Sequence, residues 1–77
     1  MNVQLADIVV HIVEDLSPEQ RIGIEDGLRA IEGVVSVHNP DDRPHLSVVQ
    51  YVPTKTSSAE ILQAVTGQGV HAELVGL

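Results

Sequence analysis

The sequence predicts an α+β domain with the element order βαββαβ. Three observations lead to this fold class. Four short segments are rich in Val, Ile and Leu, two segments between them combine helix-capping signals with helical apolar spacing, and turn residues are dense between the second and third apolar segments. A chain of 77 residues is the size of one small domain with one hydrophobic core.

The first strand is predicted within residues 3–13, because β-branched side chains dominate the second half of that segment. A helix follows, and three signals mark its start. Ser17 is an N-cap residue, Pro18 suits the first helical position, and Gln20 completes a capping box.

Apolar side chains then recur at the helical spacing i, i+4 and i+7, at Ile24, Leu28 and Ile31. We expect this helix to end near Gly33, since glycine commonly follows a helix. Gly23 and Gly27 lie inside the helix at a cost of up to about 1 kcal/mol each. We therefore predict that they allow the helix backbone to pack closely on the sheet.

The second half of the chain repeats the pattern. Strands are predicted over 34–37 and 46–52, joined by the turn residues 38–44. Ser57 and Glu60 form a second capping box, and Gly67 or Gly69 ends that helix before a last strand over 70–75.

Right-handed crossovers place both helices on one face of a four-stranded antiparallel sheet. The predicted spatial order of the strands is 4-1-3-2, which is the ferredoxin-like arrangement.

The composition excludes several classes of function. Four Lys and Arg residues against eleven Asp and Glu residues give a net charge of −7, which argues against a nucleic-acid partner. The sequence has no cysteine, so disulfides and thiolate metal ligands are excluded. No apolar segment is long enough for a membrane span and no signal peptide is recognised, so we expect a soluble, cytoplasmic protein without a membrane partner.

A series of short matches runs through most of the chain in a consistent order. They are Ile24-Glu25 with Leu28, Gly33-Val34, Tyr51-x-Pro53, Ser57-Ser58 with Ile61, and Gln68-Gly69-Val70 with Ala72. In these positions the sequence resembles the heavy-metal-associated domain family, which includes copper chaperones and N-terminal domains of metal-transporting P-type ATPases. The resemblance implies a single ferredoxin-like domain over residues 1–77.

One part of the family pattern is missing. The family binds soft ions such as Cu(I) through a Met-x-Cys-x-x-Cys loop after the first strand. In this sequence the matching stretch is residues 15–20, and Ser17 and Gln20 stand where the cysteines would be. The resemblance therefore implies the scaffold without the thiolate site, and function does not follow from the fold alone.

Histidines are the remaining candidates for transition-metal ligands. His11 lies late in the first strand and His71 early in the fourth, so an antiparallel pair brings both to one end of the sheet. Alternation along each strand sends His11, His71 and Glu73 to the face without helices. This set predicts a site for Zn(II), Cu(II) or Ni(II), which a second copy of the chain can complete. The alternative is that these are surface histidines without a ligand.

Two other groups of polar residues have simpler explanations. His38 and His45 are predicted to face each other across the hairpin as ordinary turn-flanking residues. The acidic segment with Glu14, Asp15 and Glu19 can attract a cation or a basic partner, but an acidic helix N-terminus also complements the helix dipole.

The face without helices also carries an apolar stripe. It predicts sheet-to-sheet self-association or a protein partner, unless the polar residues of that face break the stripe into smaller patches. A β-bulge would change the strand register on which the stripe depends. Asp7 hints at such a bulge, because alternation places this charged residue on the same face as Val9 of the stripe. The stripe consists of Val9, Val13, Leu46, Val48 and Val75.

Enzymatic functions are less well supported. An acylphosphatase-like protein needs an arginine cradle in the first loop, but Arg21 lies inside the predicted helix. Ser17 paired with His11 resembles a nucleophile and base, yet Ser17 is explained by its capping role. An RNA-binding domain of this topology stacks bases on sheet aromatics, and Tyr51 is the only aromatic residue besides the histidines.

We therefore predict a non-enzymatic binding module that takes a transition-metal ion through histidines instead of cysteines. The alternative is a metal-free protein-interaction or homo-oligomerisation domain that uses the open sheet face.

Overall fold

The computed structural model describes residues 4–75. Its elements are β1 (Ala6–Ile12), α1 (Pro18–Arg29), β2 (Val34–His38), β3 (Leu46–Tyr51), α2 (Ser58–Thr66) and β4 (Ala72–Val75). The strands form one antiparallel sheet in the order β2-β3-β1-β4, which is the predicted order 4-1-3-2 seen from the other edge. The ferredoxin-like fold is confirmed. Within the described residues, no helix has the length and apolar character needed to cross a membrane.

Helix α1 begins with the predicted capping box. The Ser17 hydroxyl accepts a hydrogen bond from the Gln20 backbone N–H at 3.2 Å, and the Gln20 side-chain oxygen accepts one from the Ser17 N–H at 2.9 Å. The helix ends at Arg29 with Ala30 as its C-cap, earlier than expected. Gly33 instead serves the turn into β2, where its φ of +102° suits only glycine.

Helix α2 is capped differently from the prediction. Ser57 accepts a hydrogen bond from the Glu60 N–H at 3.2 Å, as expected for an N-cap. The Glu60 carboxylate, however, accepts from the Thr56 hydroxyl at 3.0 Å. Only half of the second capping box therefore forms, because Thr56, which is 4 % exposed, needs a partner for its buried hydroxyl. The helix ends at Thr66, and its C-cap is Gly67, one of the two predicted stop positions.

The core lies between the sheet and the two helices. Both helices pack on one face of the sheet, and alternate residues of β1 point toward them, as predicted. The side chains of the core are Ile8, Val10, Ile12, Ile24, Leu28, Val37, Val49, Ile61 and Val65.

The prediction that two helix glycines pack on the sheet is wrong. A Cβ added at Gly23 meets no atom within 4 Å, and one added at Gly27 meets only the Gln68 side chain, at 2.7 Å. The core face of α1 is formed by Ile24 and Leu28. Each glycine precedes one of these residues by a single position, which turns it about 100° away from the sheet.

The irregularity in the sheet lies in β2, not beside Asp7. The register from β2 to β3 shifts between Val34 and Ser36, so Val35 has no partner in the register and its side chain is 55 % exposed. Strand β1, by contrast, pairs with β3 without interruption from Ala6 to His11. Successive residues of β1 therefore alternate between the helix-covered face and the open face without a break.

Candidate metal-binding site

His11 lies on the open face of the sheet, at the end of β1. It pairs in register with Leu46 of β3 on one side and with Glu73 of β4 on the other. Its Nδ1 is 3.7 Å from the Glu73 carboxylate, and this buried nitrogen has no hydrogen-bond partner. The strand register therefore makes neighbours of two of the three predicted ligands.

His71 lies just before β4 and contacts a different carboxylate. Its backbone oxygen accepts a hydrogen bond from the Val13 N–H at 2.9 Å, which places it two positions beyond His11 along β1. The His71 ring, whose side chain is 87 % exposed, places its Nδ1 3.0 Å from Glu14 Oε2. The structure thus brings His11 beside Glu73 and His71 beside Glu14.

Among the described residues, Glu14 has a carboxylate whose pKa the fold lowers. The His71 backbone N–H donates to both of its oxygens, at 2.8 and 3.0 Å. This backbone hydrogen bond, followed by the contact with the His71 ring, holds the pKa of Glu14 below its ordinary value of 4.5. The ionised carboxylate therefore stabilises the fold above pH 4.5, and this contribution is lost as the pH falls through the lowered pKa.

For His45 the sequence favours the role of an ordinary turn-flanking residue over that of a ligand. The prediction that it faces His38 is wrong, because His38 pairs with Val48. His45 turns to β1 instead, where its Nδ1 is 2.7 Å from the Ile12 carbonyl oxygen and its own carbonyl accepts the Ile12 N–H at 2.8 Å. Because His11 pairs with Leu46, extending the register of β1 and β3 by one residue places His45 opposite Ile12. The position of His45 beside β1 can therefore be predicted once this strand register is known.

The other side of the His45 ring meets the segment that follows β1. Its Nε2 is 2.9 Å from the Asp15 carboxylate. The ring also stacks on His11, with ring centroids 5.9 Å apart and planes inclined by 27°. One imidazole thus links β1, the start of β3 and the loop before α1.

The loop before α1 is unsuited to a soft ion. Ser17 and Gln20, which occupy the cysteine positions of the resembled family, hydrogen-bond each other's backbone in the capping box. Hydroxyl and amide oxygens are poor ligands for Cu(I), which prefers thiolates. The same bonds account for Ser17 as a helix cap.

The histidine and carboxylate pairs do not form a complete metal site. Over residues 4–75, no group of three or more His, Asp or Glu side chains is arranged to hold a metal ion. For the predicted set of His11, His71 and Glu73 to hold a metal ion, side chains must rotate, a second copy of the chain must contribute ligands, or both.

Solved structures show which proteins share this arrangement of strands and helices. Oxidized MerP from Ralstonia metallidurans is 16% identical, with a TM-score of 0.84, over 95% of this chain and 100% of that one. The chain has the fold of the heavy-metal-associated domains. The N-terminal domain of a potential copper-translocating P-type ATPase from Bacillus subtilis, solved in its Cu(I)-loaded state, is 23% identical with a TM-score of 0.84, covering 95% of this chain and 90% of that one.

A structure described as the CopZ metallochaperone is 20% identical with a TM-score of 0.76, over 91% of this chain and 100% of that one. No protein-family model and no curated protein matches the chain. The resemblance to heavy-metal-associated domains is thus confirmed at the level of the fold. At the end of the sheet that leads into α1, this heavy-metal-associated fold carries imidazoles and carboxylates.

Proposed function

We propose that the chain is a non-enzymatic, cytoplasmic binding module that takes a divalent transition-metal ion through imidazole and carboxylate groups. The fold supports this proposal, since solved proteins that share it include copper-binding and mercury-bound domains. The observation that carries it is a set of three imidazole–carboxylate pairs at one end of the sheet. These are His11 with Glu73, His45 with Asp15, and His71 with Glu14.

Nitrogen and oxygen ligands of this kind suit Zn(II), Cu(II) or Ni(II) better than Cu(I). We propose His11, His71 and Glu73 among the ligands. His11 has a buried Nδ1 without a hydrogen-bond partner, next to the Glu73 carboxylate. The side chain of His71 is 87 % exposed and can turn away from Glu14 without displacing a buried residue.

Metal binding is expected to be saturable and to depend on the histidines at this end of the sheet. Zn(II), Cu(II) and Ni(II) are titrated separately, with Zn(II) followed by NMR of backbone amides and imidazoles and the paramagnetic ions by calorimetry. Changing His11→Ala and His71→Ala together is expected to lower the affinity at least about tenfold, because two ligand nitrogens are lost.

The matched control is His38→Ala. It removes an exposed histidine on edge strand β2, where His38 pairs with Val48 of β3. This variant is expected to bind as the wild type does. A wild-type chain that shows only unsaturable binding up to millimolar metal would exclude the proposed function. Equal affinity of the double variant and the wild type would exclude His11 and His71 as ligands.

The second candidate function is a metal-free protein-interaction or homo-oligomerisation domain. It is favoured by a row of valines across three strands on the face without helices: Val75, Val9 and Val48. Val75 is 41 % exposed and Val48 is partly exposed, whereas Val9 is only 8 % exposed, so the accessible parts of the row lie on β4 and β3. A second copy of the chain is the simplest partner for such a face.

If this second function holds, sedimentation will show a concentration-dependent dimer that a chelator does not affect. Val48→Asp is expected to weaken that dimer at least about tenfold, since it buries a charge in the interface. Ile22→Asp is the control, because it places the same charge at an exposed apolar position of α1. A monomer at millimolar concentration would count against self-association.

A further inference from the structure

The ring of His45 is fixed in place by the backbone of β1. Its Nδ1 lies 2.7 Å from the Ile12 carbonyl oxygen. Because a carbonyl oxygen only accepts hydrogen bonds, Nδ1 must carry the hydrogen in this contact. The Ile12 N–H donates in return to the His45 carbonyl at 2.8 Å. Both the backbone and the ring of His45 are therefore tied to the same residue.

This arrangement determines what the opposite nitrogen can do. A neutral imidazole with its hydrogen on Nδ1 presents a lone pair at Nε2. At His45, Nε2 lies 2.9 Å from an oxygen of the Asp15 carboxylate. Two acceptors at this distance repel each other, so the contact is favourable only when the two atoms share a cation. The cation is either a proton on Nε2 or a metal ion bound to both atoms.

The distance is compatible with a metal ion. Zn(II) binds imidazole nitrogen at about 2.0–2.1 Å and carboxylate oxygen at about 2.0–2.2 Å, so ligand atoms subtending about 90–110° lie about 2.9–3.4 Å apart. The 2.9 Å separation of His45 Nε2 and Asp15 Oδ1 lies at the short end of this range. A metal-ligating histidine also commonly donates its other N–H to a backbone carbonyl. Ile12 supplies that acceptor.

His11 is the nearest candidate for a third ligand. The His11 ring stacks on His45 at a centroid distance of 5.9 Å. Lone pairs lie in the ring plane, so stacked rings do not point at a common ion, and His11 must rotate to join. Its Nδ1 has no hydrogen-bond partner to lose on rotation. Asp15 is 98 % exposed, which leaves the ion a path from solvent.

We infer that His45 Nε2 and Asp15 Oδ1 anchor a divalent ion of the Zn(II), Ni(II) and Cu(II) class, with His11 as the third ligand from the chain. This inference rests on the proposed metal-binding function. It adds His45, for which the sequence favours a turn-flanking role, and it pairs His45 with Asp15 of the acidic segment. The two cysteine positions of the resembled loop, Ser17 and Gln20, are not among these ligands, although Asp15 is the first residue of that loop.

The experiment compares Zn(II) binding by the wild-type chain with binding by His45→Gln, Asp15→Asn and the control His38→Gln. Calorimetry measures the affinity, and ¹⁵N spectra of the imidazoles report which nitrogen binds the metal. Each of the first two changes is expected to lower the affinity at least about tenfold. In the wild-type complex, His45 is expected to show metal-bound Nε2 and protonated Nδ1, and the control is expected to bind unchanged.

The outcomes separate this inference from the proposed function. If the wild type binds none of the three ions saturably, the proposed function fails and the inference fails with it. If the wild type binds but His45→Gln and Asp15→Asn bind equally well, the inference is overturned while the proposed function stands. If His45→Gln does not fold, Asp15→Asn decides alone, because Asp15 is exposed and this substitution of equal size leaves the core intact.

Discussion

Leu28→Ala is expected to lower the free energy of unfolding by about 2–5 kcal/mol, which is the usual range for emptying a fully buried leucine site. Leu28 has no exposed surface and belongs to the core between α1, α2 and the sheet. A domain of 77 residues has a total stability of only about 4–12 kcal/mol. We therefore expect the variant to be partly unfolded at room temperature if the wild type lies at the lower end of that range.

Urea denaturation followed by circular dichroism measures this loss. The matched control is Ile22→Ala in the same helix, at a position that is 55 % exposed, where a change within about 0.5 kcal/mol is expected. Similar losses for the two variants would contradict the placement of the core on the Leu28 side of α1.

Gly33→Ala is expected to cost about 2–4 kcal/mol, the sum of backbone strain and an enforced contact. The φ of +102° disfavours any side chain. An added Cβ would also lie 2.7 Å from Lys55 Cβ, 3.1 Å from Thr56 Cγ2 and 3.3 Å from the Thr56 nitrogen. The segment cannot move aside easily, because the Gly33 carbonyl accepts the Val52 N–H at 2.8 Å.

Gly69→Ala separates the two contributions. Gly69 has a φ of +92°, but a Cβ there meets no atom within 4 Å. Its substitution should therefore cost only the strain, about 1–2 kcal/mol. Thermal and urea unfolding of both variants give the comparison. If Gly69→Ala cost as much as Gly33→Ala, the crowding against Lys55 and Thr56 would have no energetic role.

The parts of the fold that the sequence predicts well are governed by local or periodic signals. The Ser17 cap depends on residues within one helical turn, and the inward side of β1 follows from simple alternation. The end of α1 was missed because Gly33 is used by the turn into β2, which contacts Lys55 and Thr56 far along the chain. The bulge at Val35 was missed for a similar reason, since it depends on pairing with β3.

The candidate site was predicted only in part. The proximity of His11 and Glu73 follows from strand order and parity, and the register places them side by side. Which carboxylate His71 contacts depends on side-chain rotamers just beyond the strand, and these have no periodic signature. The predicted pairing of His45 with His38 is wrong because the hairpin is not symmetric. His38, the last residue of β2, pairs with Val48, so β3 begins before this pair and His45 lies outside the β2–β3 ladder.

The two acids after β1 have a shared structural effect. Glu14 binds His71 at the start of β4, and Asp15 binds His45 at the start of β3. These contacts brace the loop before α1 from both neighbouring strands. In this chain the loop that would carry thiolates in the resembled family is therefore restrained from both sides, with Glu14 and Asp15 held beside imidazoles.

The bulge in β2 also bears on aggregation. Strands β2 and β4 form the two edges of the sheet, and an edge presents unpaired backbone groups on which a foreign strand can grow. Val35 interrupts the regular ladder on one edge, while the other edge spans four of the described residues and carries the charge of Glu73. Both features discourage the edge-to-edge addition of strands that leads to fibrils. We therefore expect the sheet edges not to cause precipitation at the concentrations needed to test the open valine face for dimers.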